Sequence, residues 1–408
     1  MTQKFLPVLL GSDVNVYGMA RSLHEAYGIC SVAVGKGRLG ATSNSRIVTV
    51  EVVEPRLEED EVFCNTLIEF SKRYPKELPL LLVPCGDNYA KLLARNQEAL
   101  RDYYRFVSIN EPLLLQLSTK ETFYALCEQY GFSFPKATTV TINNYREAVL
   151  PFDFPVVIKP SNSVAYWNCH FPHKKKVFVA ETREEFDAIL EAIYGSSYQD
   201  HLIIQEYIPG DDSHMRVMNC YCDKDGKVRL IALGQALLEE HSPEGIGSYA
   251  AIIPAEDLQL ARKMKAFLEE IGYKGFANFD FKLDSRDGQY KLFEMNPRQG
   301  RSSFFVTAMG YNLGKYLAED VIFDTPYECT VATGDVLWTI IPTHLIFEYV
   351  QDPELKQKAR ELIAKHKVCK SLYYKKDRNF KRWLYFHKNQ ASYYKKYARY
   401  FGNKGLRD

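Results

Sequence analysis

Phe279-Asp280-Phe281-Lys282-Leu283 and Leu292-Phe293-Glu294-Met295-Asn296-Pro297-Arg298 decide the reading of this 408-residue chain. Both stretches alternate apolar and polar side chains, the period of a half-buried strand. Arg286-Asp287-Gly288 lies between them, an Asp-Gly turn that predicts a hairpin over residues 276–283 and 290–295. On that hairpin Asp280 leaves one strand on a defined face, and Glu294 and Asn296 share one face of the next. Three oxygen-bearing side chains can therefore converge. Magnesium takes hard oxygen ligands, few of them from protein and the rest from phosphate and water. Two carboxylates and an amide suit it. The plain alternative is a pair of surface strands with ordinary acidic residues. Arg298 and Arg301 weigh against it, because guanidinium groups beside an acidic site suit metal-bridged phosphate and an anionic intermediate.

Outward from the hairpin, the chain reads as α/β. Strands over residues 5–10, 31–34, 47–53 and 80–83 alternate with helical patterns, the first ending at Gly28 and another covering residues 62–70. Such alternation implies a parallel sheet with ligands beyond the carboxyl ends of its strands, where Gly11-Ser12-Asp13 and Gly86-Asp87 fall. Simple turn chemistry explains those residues equally well. The glycine spacing is not that of a dinucleotide fingerprint. A boundary is expected near Pro112. Ser118-Thr119-Lys120-Glu121 reads as a capping box opening a helix. Residues 156–160 form a strand with Lys159 at its end, and residues 184–194 and 258–271 are helical. Residues 202–207 are a strand, and Lys224-Asp225-Gly226 turns a second hairpin.

Glu294-Met295-Asn296-Pro297-Arg298, Arg301-Ser302-Ser303 and Gly310-Tyr311 closely resemble the ATP-binding segment of the carbamoyl-phosphate synthetase large subunit, of the ATP-grasp superfamily. The resemblance covers roughly residues 115–320. It implies that Asp280, Glu294 and Asn296 hold two magnesium ions, with manganese an acceptable substitute. It places Arg298 on the transferring phosphoryl group and Arg301 near an acyl-phosphate. It makes Lys120 and Lys159 the lysines on the ATP phosphates, and Gln205-Glu206-Tyr207-Ile208 the hinge along the adenine edge. Asp212 would hold the ribose hydroxyls, with Asp211 a close competitor. The superfamily's glycine-rich phosphate loop has no counterpart, since residues 161–176 contain no glycine. Hydroxyls such as that of Ser161, and the run Lys174-Lys175-Lys176, are expected to take over part of its task. Residues 7–21, PVLLGSDVNVYGMAR, look like the opening of the bacterial D-aspartate ligases. That resemblance implies D-aspartate as the carboxylate and the lysine amine of a peptidoglycan precursor as acceptor. Asp87 and His241 are candidate bases.

The expected layout is an N-terminal parallel α/β unit over residues 1–115, an ATP-grasp unit over 116–325 with a lid at about 135–205, and a C-terminal region over 326–408. Nine scattered cysteines without metal-type spacing read as buried thiols of a reducing cytoplasm, and the N-terminus does not read as a signal peptide. No apolar run is long enough to cross a membrane. Net charge is +1, yet residues 365–408 hold 14 Lys/Arg against 2 Asp/Glu. Aromatics interleave with those cations. A peripheral contact with anionic membrane, or with nucleic acid, competes there with a helical extension packed by its own aromatics. Two other readings of the whole chain stay open. One is an ATP-grasp ligase for another amino acid or a dipeptide, the other a non-catalytic nucleotide-binding protein. The complete Asp280, Glu294 and Asn296 set argues against the second.

Overall fold

The computed structural model describes residues 4–243 and 245–402. Its N-terminal sheet is parallel, in the order Val48–Val53, Ser31–Gly35, Leu6–Leu10, Leu80–Pro84. Leu6, Val8 and Leu10 pack into one core and Leu9 and Ala33 into another, so the sheet is buried on both faces and its strands read as apolar runs. The first helix, Val14–Tyr27, starts at Asp13, whose carboxylate accepts from the amides of Asn15 and Val16. It stops at Gly28, with φ 69°, whose amide bonds to His24.

The hairpin that opened the reading forms the edge of an eight-stranded sheet. The order is Tyr290–Asn296, Gly275–Leu283, Met215–Cys222, Val228–Glu239, Tyr249–Ala255, Leu337–Thr339, Val368–Cys369, with Thr330–Val331 beside Val228–Glu239. Cys220 and Cys222 lie in the core behind it, and among the described residues no group of three His, Cys, Asp or Glu side chains gathers at metal-binding range. A third, antiparallel sheet runs Ala137–Val140, Leu202–Glu206, Val156–Pro160, Phe178–Ala180. The helix Arg183–Tyr194 covers it with Phe186, Ile189, Leu190 and Ile193. Lys159 and Gln205 leave this small sheet towards the large one, so the cleft between the two sheets is the place where distant segments meet.

One local expectation changes. Ser118 closes the preceding helix, Glu111–Ser118, so no capping box forms; Thr119 occupies the N-cap of Lys120–Gln129 without a side-chain bond. The basic C-terminal stretch forms a helix packed by its aromatics, one of the readings open for it. Its helix Phe380–Tyr400 buries Tyr393 and Tyr397 against the large sheet. Just before it, the buried Asp377 pairs with Arg382 at 3.0 Å and accepts from Tyr17, Ser45 and the amide of Arg46. Aromatic area thus ties the tail to the large sheet, and the hydrogen bonds of the buried Asp377 tie it to the N-terminal unit. Residues 403–408 of that stretch lie outside the described residues. No helix among the described residues is long and apolar enough to cross a membrane.

Candidate active site

Asp280 sits directly opposite Glu294 in the hairpin ladder, and Asn278 opposite Asn296. The register then slips, because Phe281 pairs with Leu292 and Phe293 bulges between the pairs. The bulge lies beside the acidic residues and re-aims the strand there. Asn296 donates to Asp280 Oδ2 at 3.4 Å, and the Tyr249 hydroxyl donates to Asp280 Oδ1 at 2.7 Å. The three oxygen-bearing residues therefore do come together. Burial, and then the charge of Glu294, push the Asp280 carboxyl well above the usual carboxylate range. Burial pushes Glu294 up as well, but Lys120, Lys159, Lys176 and Arg298 together outweigh it and hold that carboxyl below its usual range. Two carboxylates forced together out of water, one of them against its own ionisation, make a site that fits a divalent cation.

Lys120 and Lys159 face this pair. Lys120 Nζ is buried and no described residue accepts a hydrogen bond from it. Burial lowers its ammonium below the usual lysine range. Lys159 Nζ donates to Gln205 Oε1 at 3.2 Å and stands over the Phe293 ring at 5.4 Å. Burial, with Lys120 as a second cation nearby, lowers it to about 7. Ammonium groups without a full set of partners in a dry cleft are suited to an anion that brings its own charge.

Gln205, Glu206, Tyr207 and Ile208 line the same cleft where the strand Leu202–Glu206 ends. The Gln205 side chain, however, bridges Lys159 and the Tyr124 hydroxyl, at 2.8 Å from the latter, so it orients the lysine. Asp212 does not line the cleft. Its Oδ2 accepts from the amide of Glu239 at 2.9 Å and contacts His241 Nε2 at 2.8 Å. Asp211 is occupied with Ser213 and His214. Glu239 is on the cleft wall instead, with a buried Oε1 that lacks a partner and a carboxyl raised by burial and by Asp212. It ends a long apolar strand, and its only sequence signal was that position.

The glycine-free stretch folds as a short helix, Ser163–Asn168, capped by Asn162. Ser161 donates to the His201 carbonyl at 2.7 Å, and Lys174 to the carbonyls of Trp167 and Cys169 at 2.9 and 2.6 Å. Neither reaches the cleft. Lys176 does. Of the lysine run, the third member is the one that the strand Phe178–Ala180 carries towards Glu294.

Arg298 Nη2 donates to Asp87 Oδ2 at 2.8 Å and Asn296 Oδ1 at 3.3 Å, while its buried Nε has no partner among the described residues. Asp87, expected as a base, thus anchors Arg298 from the end of the N-terminal sheet. Arg301 pairs with the buried Glu240 at 2.6 Å and donates to the Tyr249 carbonyl at 3.0 Å. Lys396 of the last helix meets the same Glu240 at 3.8 Å. His241 is packed against Phe401 and bonded to Asp212, away from the acidic pair.

Residues 119–318 match the family described as carbamoyl-phosphate synthase L chain, ATP binding domain. The chain is 44% identical over 410 residues to a D-aspartate ligase of Enterococcus faecium, covering 98% of this chain and 97% of that one. It belongs to the D-aspartate ligase family. Solved structures agree on the fold. An N5-carboxyaminoimidazole synthetase from Staphylococcus aureus complexed with ADP superposes with a TM-score of 0.58 at 12% identity, over 82% of each chain. An L-amino acid ligase from Bacillus licheniformis does so at 0.57 and 14%, over 80% of this chain and 76% of that one. The member described here is an ATP-grasp ligase in which a parallel N-terminal sheet delivers Asp87 and the edge hairpin delivers the acidic set.

Proposed function

We propose that this chain joins the β-carboxylate of D-aspartate to the side-chain amine of a lysine in a peptidoglycan precursor, with ATP converted to ADP and phosphate. The observation that carries it is one cleft whose wall holds Asp280, Glu294, Lys159 and Lys176, with the buried Lys120 ammonium acting on Glu294, in a chain of this family. A carboxylate oxygen attacks the γ-phosphorus, the bond to the bridging oxygen breaks, and ADP departs. The amine then attacks the acyl-phosphate carbon and phosphate leaves. Lys120, Lys159 and Lys176 neutralise the phosphates, and the backbone of residues 205–208 lies along the base. Glu239 holds the ribose in place of Asp212. Arg298, steadied by Asp87, faces the phosphoryl oxygens, and Arg301, steadied by Glu240, stands on the acyl side. Magnesium at Asp280, Glu294 and Asn296, as two ions with manganese a substitute, supplies charge neutralisation on the phosphate oxygens. Tyr249 orients Asp280 from behind.

ADP release measured over a panel of amino acids of both hands, with lysine-containing peptides as acceptors, tests this reading. D-aspartate is expected to stimulate release selectively. Stimulation by none of the acids would overturn it.

The last helix supports a further part of the proposal, a peripheral contact with an anionic membrane face. Phe380, Trp383 and Leu384 stay 75, 51 and 53% exposed, with Lys381 and Lys388 beside them. Because the same helix packs on the site, substitution serves better than truncation. F380Q/W383Q/L384Q is expected to abolish flotation with anionic vesicles, and unchanged flotation would remove this part.

A further inference from the structure

A second cavity, of about 320 Å³, opens between the N-terminal unit and the last helix. Asp13, Leu39, Arg301, Lys370, Phe386 and Tyr393 stand on its wall. No residue lining the nucleotide cleft lines it. Arg301 connects the two regions through Tyr249, whose carbonyl accepts from Arg301 and whose hydroxyl donates to Asp280 on the cleft wall. A ligase of this kind needs room beyond its arginines for a second substrate, and this space is large enough for a side chain and its charged tip.

The charges on the wall indicate which substrate. Both of its basic side chains already hold acceptors of the protein, and burial lowers the Lys370 ammonium to about 8. Arg301 holds Glu240 and the Tyr249 carbonyl. Lys370 donates to the Ile341 carbonyl and to Gln390. Asp13 differs. Its Oδ1 accepts from the amides of Asn15 and Val16, and among the described residues no hydrogen bond reaches Oδ2. The cavity therefore offers one negative group with spare capacity, and walls of Leu39, Ala41, Ile340 and Phe386. A small dicarboxylate would find its cations taken and Asp13 opposing it. An ammonium on an aliphatic stem matches both the charge and the walls.

We propose that this cavity binds the amine substrate and that Asp13 is the catalytic residue that receives its ammonium and accepts its proton. This rests on the ligase reading above and assigns a base to it. The ammonium gives one proton to Asp13 Oδ2. The free amine attacks the acyl carbon, a C–N bond forms, and the C–O bond to phosphate breaks with its electron pair on phosphate. The second amine proton leaves with the phosphate, and Asp13 returns its own to solvent. Burial raises the Asp13 carboxyl above its ordinary range against the opposing charges of Arg298 and Arg301, which makes its carboxylate the stronger proton acceptor.

Asp13→Asn tests the assignment, because asparagine keeps the oxygen that caps the first helix. Two nucleophiles are compared with ATP and D-aspartate present: hydroxylamine, which is uncharged at pH 7.5 and needs no base, and a lysine-containing precursor peptide. D13N is expected to retain hydroxamate formation while kcat/KM for the peptide falls about a hundredfold. Raising the pH to 9.5, which frees the amine in solution, should recover much of the peptide reaction. Equal loss with both nucleophiles would overturn the assignment in favour of a donor-binding or structural role; no loss with either would overturn it outright. Asn389→Trp, on the cavity wall, is expected to raise KM for the peptide alone, and an unchanged KM would remove the cavity from the proposal. Wild-type enzyme that forms no hydroxamate with D-aspartate or any other acid would instead defeat the ligase reading itself.

Discussion

Lys120 and Lys174 were both expected on the phosphates, and they ended in opposite circumstances. Lys120 is buried at the cleft with no acceptor, and Lys174 is tied to two carbonyls outside it. The difference separates a ligand from a fastener. A buried cation from which no protein group accepts a hydrogen bond costs folding energy that a bound anion can offset. A cation with its hydrogen bonds made locally stabilises its own loop. The same contrast runs across the whole molecule. The nucleotide cleft gathers charges that the protein leaves incompletely paired. The C-terminal helix carries as many cations, but Arg382 and Lys396 are paired with Asp377 and Glu240, and others sit on its outer surface.

The contrast breaks most visibly at the acidic pair. Asp280→Asn should lower ADP release about a thousandfold, the scale of losing a preorganised charge contact at the reacting group. Its melting temperature should hold or rise, since the mutual repulsion with Glu294 goes. A variant within tenfold of wild type would place the metal elsewhere. Next in size, Lys120→Met should weaken nucleotide binding about a hundredfold without lowering the melting temperature. Lys174→Met should do the reverse, and titration calorimetry with thermal melts on the two variants reads both. Lys176→Met should resemble Lys120→Met.

The pH dependence sharpens the comparison further. Burial and the charge of Lys120 bring the Lys159 ammonium down to about 7, so above pH 7 its amine is mostly neutral before phosphate binds. Phosphate stabilises the protonated form, so binding at pH 8 draws in up to one proton. Nucleotide affinity should then fall by up to about tenfold per pH unit above 7. Calorimetry in buffers of different ionisation enthalpy measures the uptake, and Lys159→Met should abolish it. The smallest effect belongs to the tail. Tyr397→Phe removes the hydroxyl bonded to the Glu239 carbonyl at 2.6 Å and should cost about 1 kcal/mol in chemical denaturation, with nucleotide affinity unchanged.

Much of the cleft was legible because its parts are local. Asp280, Glu294 and Asn296 sit on one hairpin, so strand alternation and one Asp-Gly turn were enough to bring them together. The parallel N-terminal sheet was legible for the same reason, since apolar strands and terminal glycines mark it residue by residue. What stayed hidden depends on segments far apart in the chain. Asp212 and Asp211 compete for the ribose in the sequence, and only the strand end at Glu239 shows that the amide there takes up Asp212. Lys174 and Lys176 are indistinguishable in a run of three lysines, and the strand that follows decides which reaches the cleft.

The sequence by itself determined the class of this protein, an ATP-grasp ligase, and put Asp280, Glu294 and Asn296 on one hairpin. The tertiary structure alone decided the division of labour. It assigned Asp87 to steady Arg298, brought Glu239 to the cleft, and folded a basic tail back as the wall of a second cavity. The physical reason is that periodicity and turn chemistry act over a few residues. Whether a buried charge finds a partner depends on chain separations that no local pattern records.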